Sequence, residues 1–91
     1  MTITTTTRAQ WPHTVEDIQN SLDGIWGLVG AMSTHGNLLR LERSLHEPLA
    51  YTITEYRGND ETDVVRRETY DAKQREEAIK LFAQAIGFQV G

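Results

Sequence analysis

Three strand-like segments lie in the middle of the chain with only brief polar links between them, and the second of them alternates cleanly between apolar and polar residues. The segments are residues 38–45, 49–56 and 63–70. Alternation with a period of two is typical of strands that bury one face. The link at residues 46–48 and the one at residues 57–61 are too short for the crossover that parallel strands need. The pattern therefore predicts an antiparallel meander of three strands.

A helix is predicted before this meander. Thr14 and Asp17 have the spacing of a capping box, which marks the start of a helix. Apolar residues then recur at intervals of three and four, as on one stripe of an amphipathic helix. They are Val15, Ile18, Leu22, Ile25, Trp26, Val29 and Met32. This pattern predicts one long helix that ends at Gly36 and places Trp26 in the core.

Gly24, Gly27 and Gly30 interrupt that helical pattern at intervals of three. Each glycine costs roughly 1 kcal/mol relative to alanine in a helix interior. The series has two explanations: another backbone packs closely against the helix there, or the helix breaks near Gly24.

A second helix is predicted after the meander. Asp71 and Gln74 form another capping-box pattern, and an apolar stripe follows. The stripe contains Ala78, Ile79, Phe82, Ala83 and Ile86. Gly87 ends the helix, and Phe88 is expected to pack back against its last turn.

These elements predict an α+β fold of order α-β-β-β-α. A three-stranded antiparallel sheet carries both helices on one face, and its other face is open and polar. Residues 1–10 form an N-terminal arm that either adds an edge strand or stays flexible, and residues 11–91 form a single domain. Trp11 is either a staple over the core or an exposed anchor.

The residue types argue against catalysis and metal binding. The chain has no cysteine, and its histidines, His13, His35 and His46, lack the spacing that places two ligands on one helix face. No serine has a nucleophile-elbow context, and the glycine series lacks the lysine of a phosphate loop. We therefore expect no enzyme activity, no metal and no cofactor. Without an apolar run of about 20 residues or a signal-peptide pattern, a cytoplasmic location without membrane insertion is expected.

The charge distribution indicates the kind of partner. The net charge is −4, and no lysine or arginine lies between Arg8 and Arg40. This balance argues against direct nucleic-acid binding, which depends on clustered cations, and favours a protein partner with a basic surface. The candidate contacts lie on the first helix and on the loop after the second strand: Glu16, Asp17, Asp23, Tyr56, Asp60, Glu61 and Asp63. A homodimer through the open sheet face or the threonine-rich arm is also compatible with the sequence.

The order α-β-β-β-α resembles the double-stranded-RNA-binding domain. His46-Glu47-Pro48, followed by Tyr51-Thr52-Ile53, is similar to that family's histidine-containing first hairpin and aromatic-headed second strand. The resemblance implies that His46 contacts a minor groove. It also implies phosphate contacts from the start of the last helix. The residues of this alternative function are His46, Arg40, Arg43, Lys73 and Arg75.

In size, acidity and lack of catalytic residues, the chain also resembles small phage-encoded inhibitors of the anti-CRISPR type. That resemblance implies a non-enzymatic inhibitor that occupies the nucleic-acid-binding surface of an effector complex.

Overall fold

The computed structural model describes residues 12–88, which form an α+β fold of order α-β-β-β-β-α. The elements are α1 (Val15–Leu22), β1 (Leu28–Met32), β2 (Leu38–Arg43), β3 (Ala50–Tyr56), β4 (Val64–Asp71) and α2 (Arg75–Ala85), with a 3-10 turn at Ala72–Gln74 leading into α2. The four strands are antiparallel and lie side by side in chain order. The predicted α+β class, with two helices and an antiparallel meander, is confirmed. The predicted number of strands was wrong, because the sheet has four.

The additional strand is β1, which the sequence pattern had placed inside the first helix. Val29 lies opposite Leu41 and Ala31 opposite Leu39, and all four side chains are buried. A short apolar run fits the period of either a helix or a strand. Pairing with β2 decides between them, because it buries the apolar side chains and also satisfies the backbone hydrogen-bonding groups.

The first helix ends at Leu22, so the break near Gly24 is the correct one of the two explanations for the glycine series. Gly36, predicted to end the helix, instead lies between β1 and β2 with φ +84°. That left-handed conformation favours glycine, and it reverses the chain between the two strands.

Both helices pack on one face of the sheet, as predicted. The core contains Ile18 and Leu22 of α1, Ala78, Ile79, Phe82 and Ala83 of α2, and Val29, Ala31, Leu39, Leu41, Tyr51 and Ile53 of the sheet. Both predicted capping boxes form, at Thr14 with Asp17 and at Asp71 with Gln74. Phe88 packs against this core beyond the end of α2. The apolar stripes therefore position both helices. Only the second half of the first stripe was wrongly predicted to be helical.

The opposite sheet face was predicted to be polar, and this was wrong for its β1 side. By strand alternation, Leu28 and Met32 lie on this face, on the other side from buried Val29 and Ala31. Leu38 lies beside them on β2.

Within residues 12–88, neither helix is long and apolar enough to cross a membrane. The predicted arm and Trp11 lie outside the described residues.

Replacing Phe82 with alanine should lower the free energy of unfolding by about 3–5 kcal/mol, because Phe82 is fully buried between the helices and the sheet. Leu81→Ala is the matched control on the same helix, since Leu81 is 38% exposed and should cost roughly 1 kcal/mol or less. Urea denaturation followed by circular dichroism measures both. Equal losses in the two variants would contradict this packing.

Candidate protein-interaction surface

The connection between α1 and β1 presents two large apolar side chains to solvent. Ile25 is 85% exposed and Trp26 is 80% exposed. The backbone turns tightly beneath them, since the N–H of Gly27 donates to the carbonyl of Gly24 at 3.2 Å and Gly27 has φ +57°. We call Ile25 and Trp26 the apolar tip. The prediction that Trp26 belongs to the core was wrong, because the helix that would have buried it ends before it.

Arg43 of β2 holds the base of the apolar tip. Its guanidinium donates from Nη1 to the carbonyl of Leu22 at 2.9 Å and from Nη2 to the carbonyl of Gly24 at 3.2 Å. Its backbone N–H donates to the carbonyl of Gly27 at 2.7 Å. Carbonyls at the end of a helix have no partner within the helix, and a cation there is also favoured by the helix dipole. The tip is therefore exposed at its top and anchored at its base.

A shallow groove of about 670 Å³ adjoins the tip and extends onto the open face of the sheet. Its walls include Ile25, Trp26, Leu28, Leu38, Arg40 and Glu61. Gly30, at the centre of β1, forms part of the floor. The groove therefore joins an apolar surface to a charged border, which is the composition of many protein contact sites.

The charged border centres on Arg40. Its Nη1 lies 2.5 Å from Oε1 of Glu61, its Nη2 lies 3.5 Å from Oε2 of Glu42, and its guanidinium carbon lies 5.9 Å from the centre of the Tyr56 ring. Tyr56 itself is buried. The structure therefore places this predicted contact residue beneath Arg40. The carboxylate of Glu61 is the part of the cluster that remains largely exposed.

The loop between β3 and β4 contains the other predicted acids. The carboxylate of Asp60 accepts hydrogen bonds from the hydroxyl and the backbone N–H of Thr62, at 2.6 and 3.0 Å. Asp63 pairs with Arg57 at 3.0 Å. These bonds give the loop a fixed shape while its carboxylates stay accessible. The loop thus presents oriented negative charge beside the groove.

The predicted acids of α1 lie elsewhere. Asp17 is part of the capping box and also accepts the backbone N–H of His13 at 2.8 Å. Asp23 pairs with Arg75 at 2.8 Å, and Glu16 is exposed in the first turn. Because α1 covers the helix side of the sheet and Glu61 borders the open side, the two predicted acidic groups do not form one surface.

Several cations of the alternative RNA-binding function have intramolecular partners. Arg40 pairs with acids, Arg43 donates to the end of α1, and Arg75 pairs with Asp23. His46 and Lys73 are exposed, His46 in the β2–β3 connection and Lys73 in the turn before α2. Three cations of this set therefore have intramolecular partners, as do Glu61, Asp63 and Asp23 among the predicted contact acids.

Among residues 12–88, no group of three or more histidine, aspartate or glutamate side chains is placed to hold a metal ion. His13, His35 and His46 are exposed and lie on separate connections. The expectation that the chain is not an enzyme stays a prediction.

Sequence reasoning missed the apolar tip, although a usable signal was present. Gly24 and Gly27 flank Ile25 and Trp26, and glycines on both sides of two residues are typical of a tight connection. The helical spacing of Ile25 and Trp26 with Leu22 concealed this signal.

Replacing Trp26 with alanine should change the free energy of unfolding by only about 0.5 kcal/mol, as expected for an exposed side chain. A core tryptophan would cost about 3–5 kcal/mol. Urea denaturation measures the difference, with Phe82→Ala as the buried reference. A loss for Trp26→Ala similar to that for Phe82→Ala would show that Trp26 is packed.

The hydrogen bonds from Thr62, first from its hydroxyl and then from its N–H, lower the pKa of Asp60 below its ordinary value of 3.8. A lowered pKa in the folded state stabilises the fold at pH values above the ordinary pKa, and this contribution disappears as the pH falls through the lowered one. Thr62→Val removes the hydroxyl but keeps the N–H, so the pKa of Asp60 should rise part of the way towards 3.8. Carboxyl-carbon NMR titration measures it, and an unchanged midpoint would contradict this account.

The comparisons with known proteins leave the surface as the only guide to function. No protein-family model, curated protein or solved structure matches this chain. The features of this chain that bear on function are therefore the apolar tip, the groove and the loop acids.

Proposed function

We propose that this chain is a non-enzymatic protein-interaction module that inhibits its partner by covering a basic, nucleic-acid-binding surface. The observation that carries this proposal is the apolar tip, which is held by Arg43 and stands beside the exposed carboxylate of Glu61. As part of the proposal, the protein acts in the cytoplasm on an effector complex that binds nucleic acid.

The apolar tip supports the binding role. A few large side chains carry most of the energy of a protein interface, and tryptophan is among the most enriched. An exposed tryptophan on a braced turn loses little conformational freedom when it binds, so more of its burial energy contributes to affinity. Trp26 has these properties, and the groove beside it can accept an apolar side chain of the partner.

The loop acids support the choice of partner. Asp60, Glu61 and Asp63 carry negative charge along the border of the groove and next to it. Negative charge at the rim of an apolar contact speeds association with a basic surface and disfavours acidic partners. A surface that binds nucleic-acid phosphates is basic for the same electrostatic reason. A chain that docks on such a surface through these acids competes directly with nucleic acid.

The proposal predicts that Trp26→Ala weakens binding to the partner at least about 30-fold, which corresponds to a loss of about 2 kcal/mol. The wild-type chain, immobilised as bait, captures partners from cells of its source, and affinity is then measured with the purified partner. Leu45→Ala is the control, because Leu45 is an exposed leucine in the β2–β3 connection, away from the groove. Equal binding by both variants would remove the apolar tip from the interface.

Charge reversal tests the choice of a basic partner. Asp60→Lys with Glu61→Lys should weaken binding, and wild-type affinity should fall as salt rises. Glu76→Lys with Glu77→Lys is the matched control, since it makes the same change in net charge on the exposed first turn of α2. Equal effects of the two pairs would show that only total charge matters. A shift of duplex RNA by the chain alone at low salt would instead favour the alternative RNA-binding function.

A further inference from the structure

We propose that β1 is a dimerisation edge, on which the β1 strand of a second copy pairs in antiparallel orientation and continues the sheet. This inference does not depend on the identity of the inhibited partner. It rests on three observations about β1: the direction of its free backbone groups, its lack of charge and the glycine at its centre.

The register of β1 with β2 determines where its backbone groups point. Gly27 accepts the N–H of Arg43, and Ser33 donates its N–H to Asn37. In an antiparallel pair, residues alternate between hydrogen-bonded and non-hydrogen-bonded positions. The N–H and C=O groups of Leu28, Gly30 and Met32 therefore point away from β2. Within residues 12–88, no strand lies on that side of β1.

The two edges of the sheet differ in charge. Natural proteins protect exposed edges with charged residues, which prevent pairing with other strands. The opposite edge, β4, follows this rule with Arg66, Arg67, Glu68 and Asp71. By contrast, β1 has the sequence Leu-Val-Gly-Ala-Met and contains no charged residue. The β1 edge therefore lacks the protection that the β4 edge has.

Gly30 is not explained by the chain's own fold. The pairing of β1 with β2 is regular, and Gly30 does not have a positive φ. A Cβ at Gly30 would meet its nearest atom, the carbonyl oxygen of Leu39, at 3.6 Å, which is ordinary contact. Glycine weakens a strand interior and often marks a place where another backbone approaches closely.

Two copies of β1 are complementary to each other when a twofold axis passes through Gly30. In an antiparallel pair centred there, Gly30 opposes Gly30 of the copy and Leu28 opposes Met32 of the copy. Leu28 and Met32 are 37% and 39% exposed on the same face, so each pair would bury two apolar side chains. With no charge on either strand, no like charges meet. The same self-complementary contact is made twice, as a twofold dimer requires.

Paired substitutions at positions 28 and 32 test this arrangement in the full-length chain. Light scattering over a concentration series should give the wild-type protein twice the chain mass of 10.3 kDa. L28K/M32K places lysines opposite each other and should reduce the mass to that of one chain. L28K/M32E, the matched control, places lysine opposite glutamate of the copy and should remain dimeric at low salt. A wild-type protein with the mass of one chain throughout would overturn the proposal, as would a dimeric L28K/M32K.

Amide hydrogen exchange identifies the edge itself. The amides of Leu28, Gly30 and Met32 should be protected in the wild-type dimer and should exchange rapidly in L28K/M32K. Those of Val29 and Ala31 should stay protected in both, which shows that the variant is folded. A dimer whose amides at Leu28, Gly30 and Met32 exchange rapidly would show that the dimer interface lies elsewhere. Slow exchange there in a chain with the mass of a monomer would show that the edge is covered by the chain's own terminal residues. Either result would overturn the proposal.

Discussion

The hydrogen bonds from Arg43 to the carbonyls of Leu22 and Gly24 join β2 to the end of α1 and to the base of the apolar tip. They satisfy the end of α1, and the backbone of Arg43 also bonds Gly27, where β1 begins. One residue of β2 thereby ends the helix, shapes the turn and aligns the additional strand. Without the guanidinium, the carbonyl of Leu22 would depend on water, and the turn beneath the apolar tip would keep its backbone bonds at Gly27 but lose the bond from Arg43 to Gly24.

The two faces of the sheet perform different tasks. One face buries the apolar stripes of both helices and supplies stability. The other carries Leu28, Leu38 and the Arg40 cluster, which no element within residues 12–88 covers. A sheet with helices on one side leaves its second side in water, and a contiguous apolar patch with a polar rim there is typical of an interaction site. We interpret the residues around Trp26 as a contact surface for a partner protein.

The proposed dimer and the proposed partner site share Leu28 and Gly30 and otherwise use neighbouring parts of the molecule. Pairing through β1 joins two open faces into one continuous sheet surface, with a groove on each side of the junction. Two identical contact sites on one rigid body can bind a repetitive partner with higher avidity than a single site. Because β1 pairs regularly with β2, the β1 strand of a second copy can continue the same sheet without a bulge or a bend.

Local patterns of period, turn residues and caps were enough to predict the α+β class, the meander from β2 to β4, both capping boxes and the acidic loop. That Leu28–Met32 is a strand and that Trp26 is exposed follows instead from contacts between distant parts of the chain. The apolar spacing of residues 22–32 fits a helix, and the competing strand gains its advantage from pairing with β2, a contact that this spacing does not encode. The burial of Tyr56 likewise depends on a neighbouring strand, which supplies the Arg40 guanidinium over its ring. Local periodicity encodes which residues can be buried, whereas long-range pairing decides which of them are.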